Sequence, residues 1–432
     1  MPARFQLDED DDSTQEHKTA GGAFAHAPEH VYAAVYSQTR LFLRDLVKRE
    51  VEREMPHLVA IQRKYRSSVL DIFFVLTGML GNHAFFMLAL PFLHVYGLGM
   101  FARGLSFVVL WSVYFSGVVK DYISAPRPTS PPVVQITRSP AHTLEYGFPS
   151  SHTTYVVATI LYISHFMLNV WACPFSWVCT LWTVGIFIVI GRIYCGLHSF
   201  IDVVGGTVLG ATEALLFVLF YERFDDLLLS TAGPLYMAAI LYLALSNIPR
   251  SLDLCPCCID SFCATSVTLG LAVGVWAHAR MPFLWKDGAA DRIAWDRSLS
   301  LGMNALRCII LIAMVVLWKT QSKSIIVSLM GAFVYTKSSL SSPMQLDSSG
   351  CYNSESDSCT VVGGGDDSDH GTDAKLSDYK HLSADDIRDG RYGTYEMIFT
   401  PENLARIPIY AGLGIVVYVV MPVAFYLLGL KP

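Results

Sequence analysis

The chain has 432 residues, of which 53% are hydrophobic and only 16% charged, and its formal net charge is -6 at pH 7. With a mean hydropathy of +0.41, that composition excludes an ordinary soluble domain of this length and places the chain in a membrane. The negative charge comes largely from two polar segments and no basic domain is present, so nothing points to nucleic acid.

Taken in chain order, residues 1–66 form a polar arm. It carries the acidic run Asp8–Asp12 and no short apolar stretch of the cleavable-signal kind, so the run from Val69 is expected to direct insertion. Within the arm, Val35, Leu43, Leu46, Val47 and Val51 interleave with Arg40, Arg44, Lys48, Arg49 and Arg53 over residues 29–66. That pattern fits a helix lying in the membrane interface, or a solvated helix.

Long apolar runs then recur at about 69–97, 101–120, 153–171, 177–191, 200–221, 233–246, 262–278, 300–318, 322–335 and 407–430, each near the roughly 20 residues that cross a bilayer as helix. Lipid offers backbone N–H and C=O groups no partners, and the runs are too long and continuous for barrel strands. The expected fold is therefore all-α, a polytopic membrane helical bundle of about eight to ten spans. Its core is expected at 67–225, with additional transmembrane helices at 226–336, an acidic disordered loop at 337–398 rich in Ser, Gly and Asp, and a final span within 399–432. Among the ten cysteines only Cys255, Cys257, Cys258 and Cys263 cluster. Their spacing lacks the two separated C-x2-C knuckles of structural zinc sites, which leaves a disulfide, free thiols or a zinc site open.

Three short segments carry chemistry. The first, Lys120-Asp121-Tyr122-Ile123-Ser124-Ala125-Pro126-Arg127-Pro128, lies where the second apolar run ends. A cation there can be a plain interfacial anchor, yet prolines on both sides of Arg127 restrict the backbone and aim the guanidinium. The second, Phe148-Pro149-Ser150-Ser151-His152, immediately precedes the third run. Ser150 or Ser151 can cap that helix, whose free N–H groups and partial positive charge also suit a phosphate.

The third segment runs from Arg192 through His198 to Asp202. His198 and Asp202 are four apart, so one helical turn puts them on a common face and lets the carboxylate orient the imidazole. Such pairs are also common as structural contacts; Arg192, a charge at a membrane boundary, argues for more. If 153–171 and 177–191 are one crossing each, the chain leaves the face holding the second segment and returns to it at the third. The first segment ends on that face too, joined to the second only by the 121–148 loop. Three cations, two histidines and one carboxylate then meet around helix ends.

At these residues the chain resembles the type 2 phosphatidic acid phosphatase superfamily, whose pattern is K-x6-R-P, P-S-G-H and S-R-x5-H-x3-D. Lys120, Arg127, Pro128, Pro149, Ser150, His152, Arg192, His198 and Asp202 meet every spacing, while Ser151 stands for the usual glycine and Gly191 for the usual serine. The longer texts KDYISAPRPTSPP, EYGFPSSHT and GRIYCGLHSFIDV are similar to those of sphingosine-1-phosphate (long-chain base phosphate) phosphatases. The resemblance covers roughly residues 65–335 and implies an enzyme of the endoplasmic reticulum membrane, acting on a membrane lipid without a metal or other cofactor, with its site toward the lumen.

On that reading His198, His152 and Asp202 are catalytic, and Lys120, Arg127, Ser150, Ser151 and Arg192 bind phosphate. His198 attacks phosphorus, oriented by Asp202, and His152 serves as acid and then base. The three cations take the place of metal ions. Alternatives are a broader lipid or polyprenyl phosphate phosphatase and, outside enzymes, a lipid-binding scaffold or a transporter. Sidedness is in tension: Arg63, Lys64 and Arg66 favour a cytosolic amino terminus, and two simple crossings would put the motifs in the cytosol with it. The 69–97 block breaks near Gly81-Asn82-His83, so a re-entrant or unusual crossing is expected there.

Overall fold

A computed structural model describes residues 29–81, 83–95, 99–137, 145–249, 252, 255–284, 300–338 and 401–430. The acidic segment expected at 337–398 lies outside the described residues apart from 337 and 338, where a helix ends. Every regular element among the described residues is a helix: α1 (Glu29–Val35), α2 (Gln38–Tyr65), α3 (Ser68–Leu80), α4 (His83–Val95), α5 (Gly99–Ile123), α6 (Ser151–Asn169), α7 (Phe175–Tyr194), α8 (Phe200–Leu229), α9 (Gly233–Ser246), α10 (Pro256–His278), α11 (Leu301–Ser338), and α12 (Pro401–Ile415), which continues through a π-turn at Val416–Val420 into α13 (Met421–Leu427).

Among the described residues six helices are long and apolar enough to cross a bilayer: α5, α7, α8, α10, the 301–326 part of α11, and the last helix over 404–427. Helix α6, with 19 residues, matches them in length. It is buried without interruption from His152 to Ile160, so this stretch needs no lipid-facing apolar surface and carries threonines instead. The 69–97 run is two 13-residue helices parted near Gly81, at the expected break, whereas the runs 300–318 and 322–335, expected as separate, form one 38-residue helix.

Helices α5, α6, α7 and α8 run up and down, with α6 against α8, α5 and α7, and α10 along α5. Close approach of α6 and α8 depends on the G-x-x-x-G pair Gly206 and Gly210, where a Cβ would strike the backbone of Ser150 and of Thr154. A single cluster of Phe101, Leu105, Val108, Tyr155, Tyr162, Phe166 and Phe217 fills the middle. At the end opposite the motifs, Arg103 of α5 donates bidentately to Asp225 of α8 at 2.8 and 2.7 Å.

Helix α2 is docked across the motif-bearing end rather than lying free. Its buried stripe, Arg44, Val47, Val51, Leu58 and Gln62, has helical spacing. Arg40 donates to the carbonyls of Tyr122 and Asp121, both at 2.5 Å, and Arg44 Nε to that of Ser124 at 3.2 Å. Gln62 donates to the carbonyls of Val134 and Tyr194 at 2.7 and 3.0 Å. From there α3 starts beside Tyr194, and α4 ends where His94 meets Tyr418 near Arg103, at the far end. Together α3 and α4 make one traverse and α5 returns. The arm and the motifs therefore share one membrane face.

Candidate active site

Four helix ends converge on the site. Lys120 lies in the last turn of α5, Ser150 is the N-cap of α6 with Ser151 and His152 following, Arg192 lies in the last turn of α7, and Asp202 stands in the first turn of α8. Arg127 and His198 come from the connecting segments. All eight expected residues are thus gathered at one end, and all are buried except the half-buried Ser151.

Backbone contacts tie the segments together. Gly147 N–H donates to Ala125 O at 2.8 Å, and Ser150 N–H to Asp202 O at 2.9 Å. Two left-handed turns set the approach. Ser124 (φ 53) closes α5 by donating its N–H to Lys120 O at 2.7 Å, an unusual conformation for a side-chain-bearing residue. It is held by Tyr36, whose hydroxyl lies 2.8 Å from Ser124 Oγ. Gly196 (φ 65) turns the chain between Arg192 and His198, where a Cβ would also meet Val133, Val134 and Gln62.

Arg127 organises the centre. Its Nη1 donates to Leu197 O at 2.5 Å and lies 3.1 Å from His198 Nε2. A guanidinium has no acceptor, so His198 Nε2 must accept, and the ring is the neutral Nδ1–H tautomer. Nδ1 faces Asp202 Oδ2 at 3.5 Å, an electrostatic contact longer than a formed hydrogen bond. That same Oδ2 accepts the N–H of Ser199 at 2.8 Å in a capping box, which fixes the carboxylate at the head of α8. Burial, then the charges of Arg127, Lys120, Arg192 and His152, hold the His198 imidazole well below its ordinary range. It is a neutral, oriented nitrogen base at pH 7.

Lys120, 0% exposed, donates to Tyr146 O at 2.5 Å. Arg192 is buried, and its Nε and Nη2 have no hydrogen-bond partner. A buried guanidinium with unfilled donors is suited to an anion. His152 packs its ring 5.3 Å from that of Tyr155.

One participant was not singled out from the sequence. Glu145 Oε2 accepts from Arg127 Nη2 at 2.8 Å and lies 3.8 Å from Lys120 Nζ, so its carboxylate occupies the position between two cations that a phosphoryl group would contest. No spacing rule flags a loop glutamate of this kind.

This arrangement defines an integral membrane protein in which three buried cations gather around a buried imidazole at one end of the helical bundle. A profile of the PAP2 superfamily matches residues 101–226, which hold all eight residues. A dihydrosphingosine 1-phosphate phosphatase of Schizosaccharomyces pombe is 36% identical over 244 residues, 55% of this chain and 59% of that one. A second, of Saccharomyces cerevisiae, is 30% identical over 308 residues, 68% of this chain and 72% of that one. Human sphingosine-1-phosphate phosphatase 2 is 28% identical over 210 residues, 48% of this chain and 51% of that one. The chain belongs to the PAP2 superfamily. It spans less than two thirds of the length of the fission-yeast relative. No solved structure matches it.

Proposed function

We propose that this chain hydrolyses a lipid phosphate monoester, a long-chain base phosphate such as sphingosine-1-phosphate, through a phosphohistidine intermediate and without a catalytic metal. The observation that carries the reading is the neutral His198 Nε2 at 3.1 Å from Arg127, among three buried cations of which Arg192 has donors to spare. The substrate class draws support from the dihydrosphingosine and sphingosine phosphatases to which the chain is similar.

In the first step His198 Nε2 forms a bond to phosphorus as the P–O ester bond breaks, and His152, as imidazolium, gives its proton to the leaving alkoxide. In the second, His152 takes a proton from water, the water oxygen bonds to phosphorus, and the P–N bond breaks to release inorganic phosphate. Asp202 keeps the Nδ1–H of His198 oriented through both steps. Lys120, Arg127 and Arg192, with Ser150, Ser151 and the α6 amino terminus, bind the phosphoryl oxygens and balance the transition-state charge. A fixed triple cation supplies the neutralisation that metal ions give other phosphatases.

The test compares purified full-length chain on sphingosine-1-phosphate, dihydrosphingosine-1-phosphate, phosphatidic acid and a polyprenyl phosphate in mixed micelles without added divalent metal. Higher kcat/KM on the long-chain base phosphates is the expected result. Equal or better turnover of phosphatidic acid would make the enzyme a broader lipid phosphatase, and no turnover of any would leave a binding protein.

The endoplasmic reticulum membrane and a lumenal site are part of this proposal. Because α2 is docked on the site's face, a lumenal site takes the arm into the lumen as well, against the charges of Arg63, Lys64 and Arg66. Ser130→Cys, beside the site, is expected to resist an impermeant thiol reagent in sealed microsomes until detergent is added. Native Cys173, in the α6–α7 connection at the opposite end, should react at once. The reverse pattern, read peptide by peptide, would put the site in the cytosol.

A further inference from the structure

The residue after Lys120 takes no part in the proposed reaction. Asp121 is 0% exposed, and its carboxylate oxygens have no hydrogen-bond partner beyond the Cys255 thiol beside them. Such a group is expensive to bury and calls for a counterpart. What lies beside it is the start of α10. Cys255, its N-cap, and Cys257 are 3% and 4% exposed, both thiols are free, and their sulfurs stand 2.6 Å apart. One carboxylate oxygen of Asp121 and the two sulfurs all lie within 4.8 Å of one another. The N–H of Cys257 donates to Cys255 Sγ at 3.4 Å, the sort of bond that supports a thiolate. Arg40 donates to the Asp121 carbonyl at 2.5 Å, and Lys120 adds a second cation next to it in the chain.

We infer that Asp121, Cys255 and Cys257 hold a soft divalent cation, zinc by its preference for thiolates mixed with an oxygen ligand. Both thiols lose their protons to solvent on binding, the carboxylate gains a cationic partner, and water or a backbone carbonyl completes the four positions. With Zn–S bonds of about 2.3 Å the sulfurs move apart to about 3.8 Å, a change that side-chain rotation supplies. A Cys255–Cys257 disulfide accounts for the sulfurs but gives the carboxylate oxygens nothing to bind directly, so the metal explains more. The ion does not touch His198 or His152. It fastens the end of α5 to the start of α10 one residue from Lys120, and so fixes a wall of the anion site. The inference stands independently of the proposed reaction, because its readout is metal content.

The full-length chain, purified in detergent through a tag without histidines and with no added metal, is expected to carry close to one zinc per chain by elemental analysis. The zinc should survive dialysis against a chelator and leave on denaturation. Protein from cells grown with cobalt should show thiolate-to-cobalt charge-transfer absorption, and the double variant Cys255→Ser/Cys257→Ser should fall to background zinc. Because that variant can fail to fold, the cobalt spectrum and thiol titration of the unmodified chain stand as separate readouts. Metal-free wild-type protein with both thiols titrating, an intact Cys255–Cys257 disulfide in unreduced peptides, or zinc unchanged in the double variant would each overturn the assignment.

Discussion

Replacing His198 by alanine is expected to remove both turnover and phosphorylation of the protein by radiolabelled substrate, a loss of at least about 10⁴-fold in kcat, since the removal of a nucleophile is seldom compensated. Two independent contacts orient the imidazole, Arg127 at Nε2 and Asp202 at Nδ1. Because burial and the surrounding cations depress its pKa, the neutral form persists as pH falls, and it is lost only below the ordinary imidazole value of about 6.5. Once the substrate's own second ionisation is divided out, the acid limb of kcat/KM that belongs to His198 therefore lies below that value. A bound phosphate offsets the cations and moves the limb of kcat upward. Binding of vanadate should survive in the variant, because Lys120, Arg127 and Arg192 remain. Acid-labile, base-stable label retained in His198→Ala would assign the nucleophile elsewhere.

The gathering of the eight expected residues at one end was legible because they lie in three short segments at helix ends, where spacing along the chain is nearly spacing in the fold. The count of crossings then put those ends together: α6 leaves the face and α7 returns to it. What spacing cannot convey is contact between segments far apart in the chain. The docking of α2 rests on Arg40, Arg44 and Gln62 reaching carbonyls of the loops that flank the site. Their charges read equally well as an interfacial face. The Asp121 partnership with Cys255 and Cys257 was hidden for the same reason, and so was the hold of Glu145 on Arg127.

Helix bounds failed where local polarity misleads. Lys319, Thr320 and Gln321 look like a connection between two spans, yet the helix continues through them. Long lysine side chains can leave an unbroken helix for the headgroup region, so polarity alone does not end one. At 69–97 the local signal was readable: the break expected near Gly81-Asn82-His83 is where α3 ends, with the N–H of Gly81 closing on Gly78 O at 3.2 Å. The two short helices that result make the single traverse that brings the arm to the site's face.

The second large effect is expected at His152, and its size should depend on the leaving group. An alkoxide cannot depart from phosphorus without a proton, so His152→Ala should slow hydrolysis of a long-chain base phosphate by roughly 10²–10⁴-fold, the usual contribution of a positioned acid or base. A nitrophenyl phosphate needs no such proton, and with it the first step should be nearly intact. The second step still lacks its base. The phosphoenzyme formed on His198 should therefore accumulate, as a burst of nitrophenolate close to one per chain followed by slow turnover, with the label acid-labile and base-stable. His198→Ala should give neither burst nor label on either substrate. The contrast separates a proton donor from a residue that merely fills space against Tyr155, 5.3 Å from its ring, since a packing defect would slow both substrates alike. Equal losses on the two substrates, with no burst, would remove His152 from the role of acid and base and leave it as a wall of the site.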